Sequence, residues 1–122
     1  MTAKRIGAVT FLVRDYDEAI VWFRDALDFE LVEDTPLGGG KRWVLVAPGD
    51  GGTPLLLAEA STETQRARIG DQSGGRVAFF LHTDDFSRDH ARMRAAGVVF
   101  RFCRPTNLTL LPNATMERRL SE

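Results

Sequence analysis

Few residues in this chain carry the chemistry of catalysis, and they are widely spaced. Glu59 ends the apolar run Leu55-Leu56-Leu57-Ala58. A carboxylate buried there without a partner is costly, so either a solvated strand end or a functional acid accounts for it. His82 closes a second apolar run, Val77-Ala78-Phe79-Phe80-Leu81. An imidazole that titrates near neutrality suits a ligand or general base, and it also suits a strand end bonded to a loop. Glu59 and His82 together would make a two-residue acid/base pair or a weak metal pair. A catalytic divalent metal needs about three protein donors, so two do not define a site. His90 falls on the inward face of a helix pattern and reads as a core-edge residue. Cys103 is the single cysteine, which excludes an internal disulfide and a structural zinc site of its own. Trp43 sits in a strand pattern where it can pack in a core or stack on a flat ligand. Its neighbour Arg42 must face the other way, because side chains alternate along a strand. The glycine runs at 38–40 and 49–52 read as hairpin turns, since neither is followed by the Lys-Ser/Thr step into a helix that a phosphate loop requires.

Composition narrows the setting. With 122 residues, 43% hydrophobic and 27% charged, the chain is expected to form one domain. A net charge of -1 gives no general attraction to nucleic acid or to anionic membrane. Arg101, Arg104, Arg118 and Arg119 make the C-terminal segment basic, without the aromatic interleaving of a single-strand binder. Asn113-Ala114-Thr115 matches a glycosylation sequon, which is idle without secretion. No apolar run approaches the roughly 20 residues of a membrane span. A lone cysteine and an N-terminus without an apolar leader lead to the expectation of a cytoplasmic protein.

The elements that must position these residues follow from periodicity. Ile6 to Val13 reads as a strand, and Asp15 with Glu18 forms a helix start. Tyr16, Ile20, Phe23 and Leu27 fall on one face of a helix ending near Asp28. Strands are predicted over Phe29–Val32, Arg42–Ala47 and Thr53–Ala60, with residues 35–40 as a loop and short turns implying antiparallel pairing. Residues 61–75 form a polar connector with one helical turn near Glu63 to Ile69. The pattern then returns: a strand over Val77–Thr83, a cap at Asp85, a helix through Phe86, His90 and Met93 ending at Gly97, and a strand over Val98–Phe102. A slide of 70 residues pairs Ala8 with Ala78, Asp15 with Asp85 and Phe23 with Met93. The chain is therefore expected to repeat a strand–helix unit, with Ala8 and Ala78 facing one shared concavity.

On these residues the chain resembles the vicinal oxygen chelate superfamily, which includes glyoxalase I, bleomycin-resistance proteins and extradiol dioxygenases. The resemblance is carried by Val9-Thr10-Phe11-Leu12-Val13-Arg14-Asp15-Tyr16-Asp17-Glu18-Ala19, Trp22-Phe23 and Leu27-Asp28-Phe29-Glu30-Leu31-Val32, and then by residues 74–85 and 93–98. Asp28 stands where the family commonly has Gly. The resemblance implies an α+β fold of paired βαβββ modules around a cup: module one over about 5–60, the connector over 61–75, and module two over about 76–122, incomplete or altered. It also implies a small-molecule enzyme, a lyase or dioxygenase, that chelates substrate oxygens on a divalent metal. A non-catalytic, drug-sequestering binding protein and an inactive foldable remnant are the alternatives.

The family's metal-ligand positions fall on Ala8, near Leu57 and on Ala78, none of which is a donor, and the pattern around the fourth ligand is absent after Phe100. The expectation is therefore no cofactor and no tightly held metal. The cup would then be lined by Thr10, Leu12, Trp43, Leu57 and Phe80, with Glu59 and His82 as the candidate catalytic residues. Pro105 and Pro112 make two clean central strands after Phe102 doubtful. The second sheet is thus expected to be completed by another chain in a homodimer, with the segment from about Arg104 poorly packed.

Overall fold

The computed structural model describes residues 3–49, 51–98, 107–111 and 115–117, the last two segments as backbone only. The strands are β1 (Val9–Val13), β2 (Glu30–Gly38), β3 (Lys41–Ala47), β4 (Leu55–Glu59), β5 (Phe79–His82), β6 (Asn107–Leu111) and β7 (Thr115–Glu117). The helices are α1 (Tyr16–Leu27), α2 (Glu63–Ala67) and α3 (Phe86–Ala95). One sheet has the order β1-β4-β3-β2, with β1 parallel to β4 and the other pairs antiparallel. This is the βαβββ module expected from the sequence. Among the described residues the second sheet has the order β5-β6-β7 and is antiparallel throughout, so it is paired differently from the first.

α1 and α3 start as their sequences dictate. The Asp15 carboxylate accepts the Glu18 amide at 2.8 Å, and the Asp85 carboxylate accepts the Arg88 amide at 3.0 Å. These bonds satisfy N–H groups that a helix start leaves free, and they match at a separation of 70 residues. α1 ends at Asp28, whose φ of 57° is left-handed. That conformation suits Gly, and it explains why Gly is usual at this point. Asp28 holds it while accepting an ion pair from Arg92 at 3.4 Å. The same guanidinium donates to the backbone carbonyls of Asp25 at 3.0 Å and Arg24 at 3.3 Å, tying α3 to the end of α1. α3 closes instead on a left-handed Gly97.

The core lies between α1 and the first sheet. Phe23 is 1% exposed and meets Phe11 edge to face at 5.7 Å. Val44, Val46, Leu55 and Leu57 supply the sheet side. Met93 and Val98 belong to the same cluster, with Phe79, Leu81 and Phe86 packed against it, so one core runs through both modules. Gln72 of the connector covers part of the open edge of β1. Its amide accepts the Leu12 N–H at 2.7 Å and donates to the Thr10 carbonyl at 2.6 Å. Those are the bonds a neighbouring strand would make.

Two expectations need correction. Residues 35–38 are strand, not loop, because β2 continues along β3 through register shifts at Leu31/Glu33 and Pro36/Gly38. As an edge strand, β2 tolerates Pro36 without losing an inner ladder bond. Only Gly39 and Gly40 turn, with φ of 64° and 81°, the positive values that a two-residue hairpin of opposed twist requires. Of the segment after Phe102 only β6 and β7 are described: β6 lies between β5 and β7, and β7 is a three-residue strand at the edge, while Pro105 and Pro112 lie outside the described residues. Finally, β1 begins at Val9 rather than Ile6, where pairing with Leu55 begins. The strand expected over Val98–Phe102 lies, beyond Val98, outside the described residues, as do Cys103 and Arg104.

Truncating Phe23 to Ala is expected to cost about 3–5 kcal/mol in urea unfolding, the range for emptying an aromatic core site. Asp28→Gly removes the left-handed penalty and loses only an exposed ion pair, so its midpoint should match or exceed the parent's.

Candidate functional site

The pleat of the first sheet decides which side chains are available. Val44 and Leu57 are 0% exposed and Val46 is 1%, all turned toward α1. Their alternates therefore form the opposite, open face: Trp43 and Leu45 on β3, Leu56 and Ala58 on β4, Thr10 and Leu12 on β1. Trp43 is 38% exposed there. In β5, Phe79 and Leu81 pack on the core, while Phe80, 59% exposed, and His82 take the other face. Thr10 and Leu12 thus correspond to Phe80 and His82 at a separation of 70.

Leu57 is the exception among the expected lining residues. It borders the open-face cavity from behind but is wholly buried, so it belongs to the core. An unbroken apolar run does not reveal which of its residues faces inward, and the pairing of Leu57 with Val44 settles it. Glu59 shares the parity of Leu57. Its carboxylate accepts the Tyr16 N–H at 3.2 Å, at the positive end of α1. Glu59 and His82 stand on different sheets, and no hydrogen bond or ion pair joins them among the described residues. Ala8 and Ala78 carry no donor, and neither do Leu56 and Ala58, the open-face residues of β4. Among the described residues no group of three or more His, Cys, Asp or Glu is placed to hold a metal ion. The donor set does not fit the divalent metal that the resemblance implies.

A cavity of about 420 Å³ opens at the Trp43 end of this sheet, bordered by Lys41, Trp43, Leu56, Ala58, Glu59 and Gln65 among others. Behind it, Arg42 anchors three elements. Its guanidinium pairs with Asp34 of β2 at 2.6 Å and with Asp17 of α1 at 3.0 Å, and lies 5.1 Å from the centre of the Tyr16 ring. The Arg42 amide donates to the Tyr16 hydroxyl at 3.2 Å. This fixes the hairpin that carries Trp43 to the start of α1. The hydrogen bond from Arg42 holds the Asp34 carboxyl below the ordinary aspartate range, against the opposing effect of desolvation. Sequence reasoning placed Arg42 opposite Trp43, which the structure bears out, but pairwise spacing gave no sign of its partners on β2 and α1.

Residues 5–109 match the family model of the Glyoxalase/Bleomycin resistance protein/Dioxygenase superfamily, and the chain belongs to that superfamily. It is 50% identical over 94 residues to an uncharacterized protein of Shewanella frigidimarina, covering 75% of this chain and 70% of that protein. It is 30% identical over 101 residues to the uncharacterized protein YurT of Bacillus subtilis, covering 79% and 77%. Among solved structures, UcmS2 is similar with a TM-score of 0.69 and 26% identity, over 95% of this chain and 96% of that one. TnmS3, an antibiotic binding protein from Streptomyces sp. CB03234, shares the fold with a TM-score of 0.68 and 24% identity, over 96% and 94%.

Removing the Arg42 anchor has a signed pH consequence. Because the folded Asp34 carboxyl titrates below its unfolded value, the pairing contributes stability that is present above the unfolded value, about 4, and lost as pH falls through the lower folded one. Arg42→Met should therefore be less stable than the parent at neutral pH, with the gap closing on acidification below about pH 4. Urea midpoints across a pH series measure this, and a gap that does not change with pH would contradict it.

Proposed function

We propose that this chain is a small-molecule binding protein that holds an aromatic compound against the open face of its first sheet. The observation that carries this reading is the make-up of that face. Trp43, Leu45, Leu56, Ala58 and Leu12 present apolar surface beside a cavity of about 420 Å³, a size that suits a small ligand. An exposed tryptophan on a rigid strand offers a flat stacking surface at little entropic cost. The enzymatic alternative needs a metal or a paired acid and base. The open face supplies no donor triad, and Glu59 is engaged by the helix start. That TnmS3 binds an antibiotic shows the fold is compatible with sequestration, and its likeness to this chain carries the fold alone.

We further propose that two copies pair. Phe80 is 59% exposed, and the described part of the second sheet has three strands with β5 at its edge. A partner would cover both. Among the described residues no helix is long and apolar enough to cross a membrane.

Trp22→Phe leaves Trp43 as the sole tryptophan reporter. Titration with planar aromatic probes should then change its emission saturably, and Trp43→Ala should weaken binding about tenfold by calorimetry. Unaltered binding in Trp43→Ala would refute the site. Metal-stimulated turnover of a hemithioacetal, lost in Glu59→Gln or His82→Ala, would establish the enzyme reading instead. Sedimentation at micromolar concentration should give a dimer, and a stable monomer would refute the pairing.

A further inference from the structure

Resting on that binding reading, we propose that the ligand carries an anionic group beside its aromatic ring, and that Lys41 recognises it. Lys41 and Trp43 stand two positions apart on β3 and so share the open face. Both border the same cavity. Three charged residues border it, and two are already committed. Arg42 turns to the helix side, where Asp17 and Asp34 hold it at 3.0 and 2.6 Å. Glu59 accepts the Tyr16 N–H at 3.2 Å and meets the positive end of α1. Lys41 makes no side-chain hydrogen bond or ion pair among the described residues. Its strand follows directly on the Gly39-Gly40 turn, whose positive φ values set where the hairpin ends. Lys41 therefore borders the cavity at the turn end of the hairpin, one strand repeat from Trp43. A carboxylate, sulfonate or phosphate on a ring stacked against Trp43 would meet it there. The charge acts through solvent-accessible space, so its contribution is modest and falls with salt.

The test uses three probes that share a naphthylmethyl group and end in an anionic, a neutral or a cationic group: naphthalene acetate, naphthalene methanol and naphthyl methylamine. Binding to the Trp22→Phe protein is read from Trp43 emission. The acetate should bind about threefold to tenfold tighter than the neutral alcohol at low salt, the amine no tighter than the alcohol, and the preference should shrink as salt rises. Lys41→Met should abolish the preference while the alcohol keeps its affinity, and Lys41→Arg should retain it. Equal binding of all three probes, or preference for the amine, would overturn the role of Lys41 and leave the stacking site standing. Failure of every probe to bind would overturn the binding reading as well.

Discussion

The arrangement depends on one packing constraint: α1 must bury Phe23 against a single face of the first sheet. Val44, Val46 and Leu57 answer that demand and lose all but a trace of their exposure. Because strand side chains alternate, committing these residues to the helix commits Trp43, Leu45, Leu56 and Ala58 to the other side. The apolar character of the open face is thus a by-product of core formation. A slip of one residue in β3 or β4 would exchange the two sets and put the tryptophan in the core.

The rest of the framework keeps that alternation in register. Arg42 links β2, β3 and the start of α1 through two carboxylates and a tyrosine. Glu59 ties the end of β4 to the same helix start. At the other end of α1, Arg92 donates to two carbonyls of the last turn and draws in α3. Gln72 completes part of the edge of β1 with a side-chain amide, so a segment without strand structure shields backbone groups that would otherwise invite another chain. Polar side chains thus join the modules where the apolar core runs out.

The internal repeat is real but partial. Caps, helix faces and the first strand of each module agree at a separation of 70, down to the acceptor role of Asp15 and Asp85. Beyond the helices the two halves part. The first module returns a strand parallel to β1, whereas β5 pairs antiparallel with β6. Strand–helix units are specified locally by caps and periodicity and so repeat faithfully. Sheet completion depends on distant segments, and those differ between the halves.

The sequence by itself determined the elements whose information is local. Asp15 and Asp85 announced α1 and α3, and the spacing of Tyr16, Phe23 and Leu27 named the buried face of α1. It also placed Trp43 and Arg42 on opposite sides, since alternation needs no partner. Only the tertiary structure decided what alternation alone leaves open. In the run Leu55-Leu56-Leu57 every residue is apolar, so nothing local separates core from cavity, and pairing with β3 gave Leu57 to the core and Leu56 to the open face. The strand character of residues 35–38 came from ladder bonds to β3 that outweighed the turn preferences of Pro36 and Gly38. The partners of Arg42, Glu59, Gln72 and Arg92 lie from 8 to 68 residues away, and contacts at such separations exist only once the chain has closed on itself.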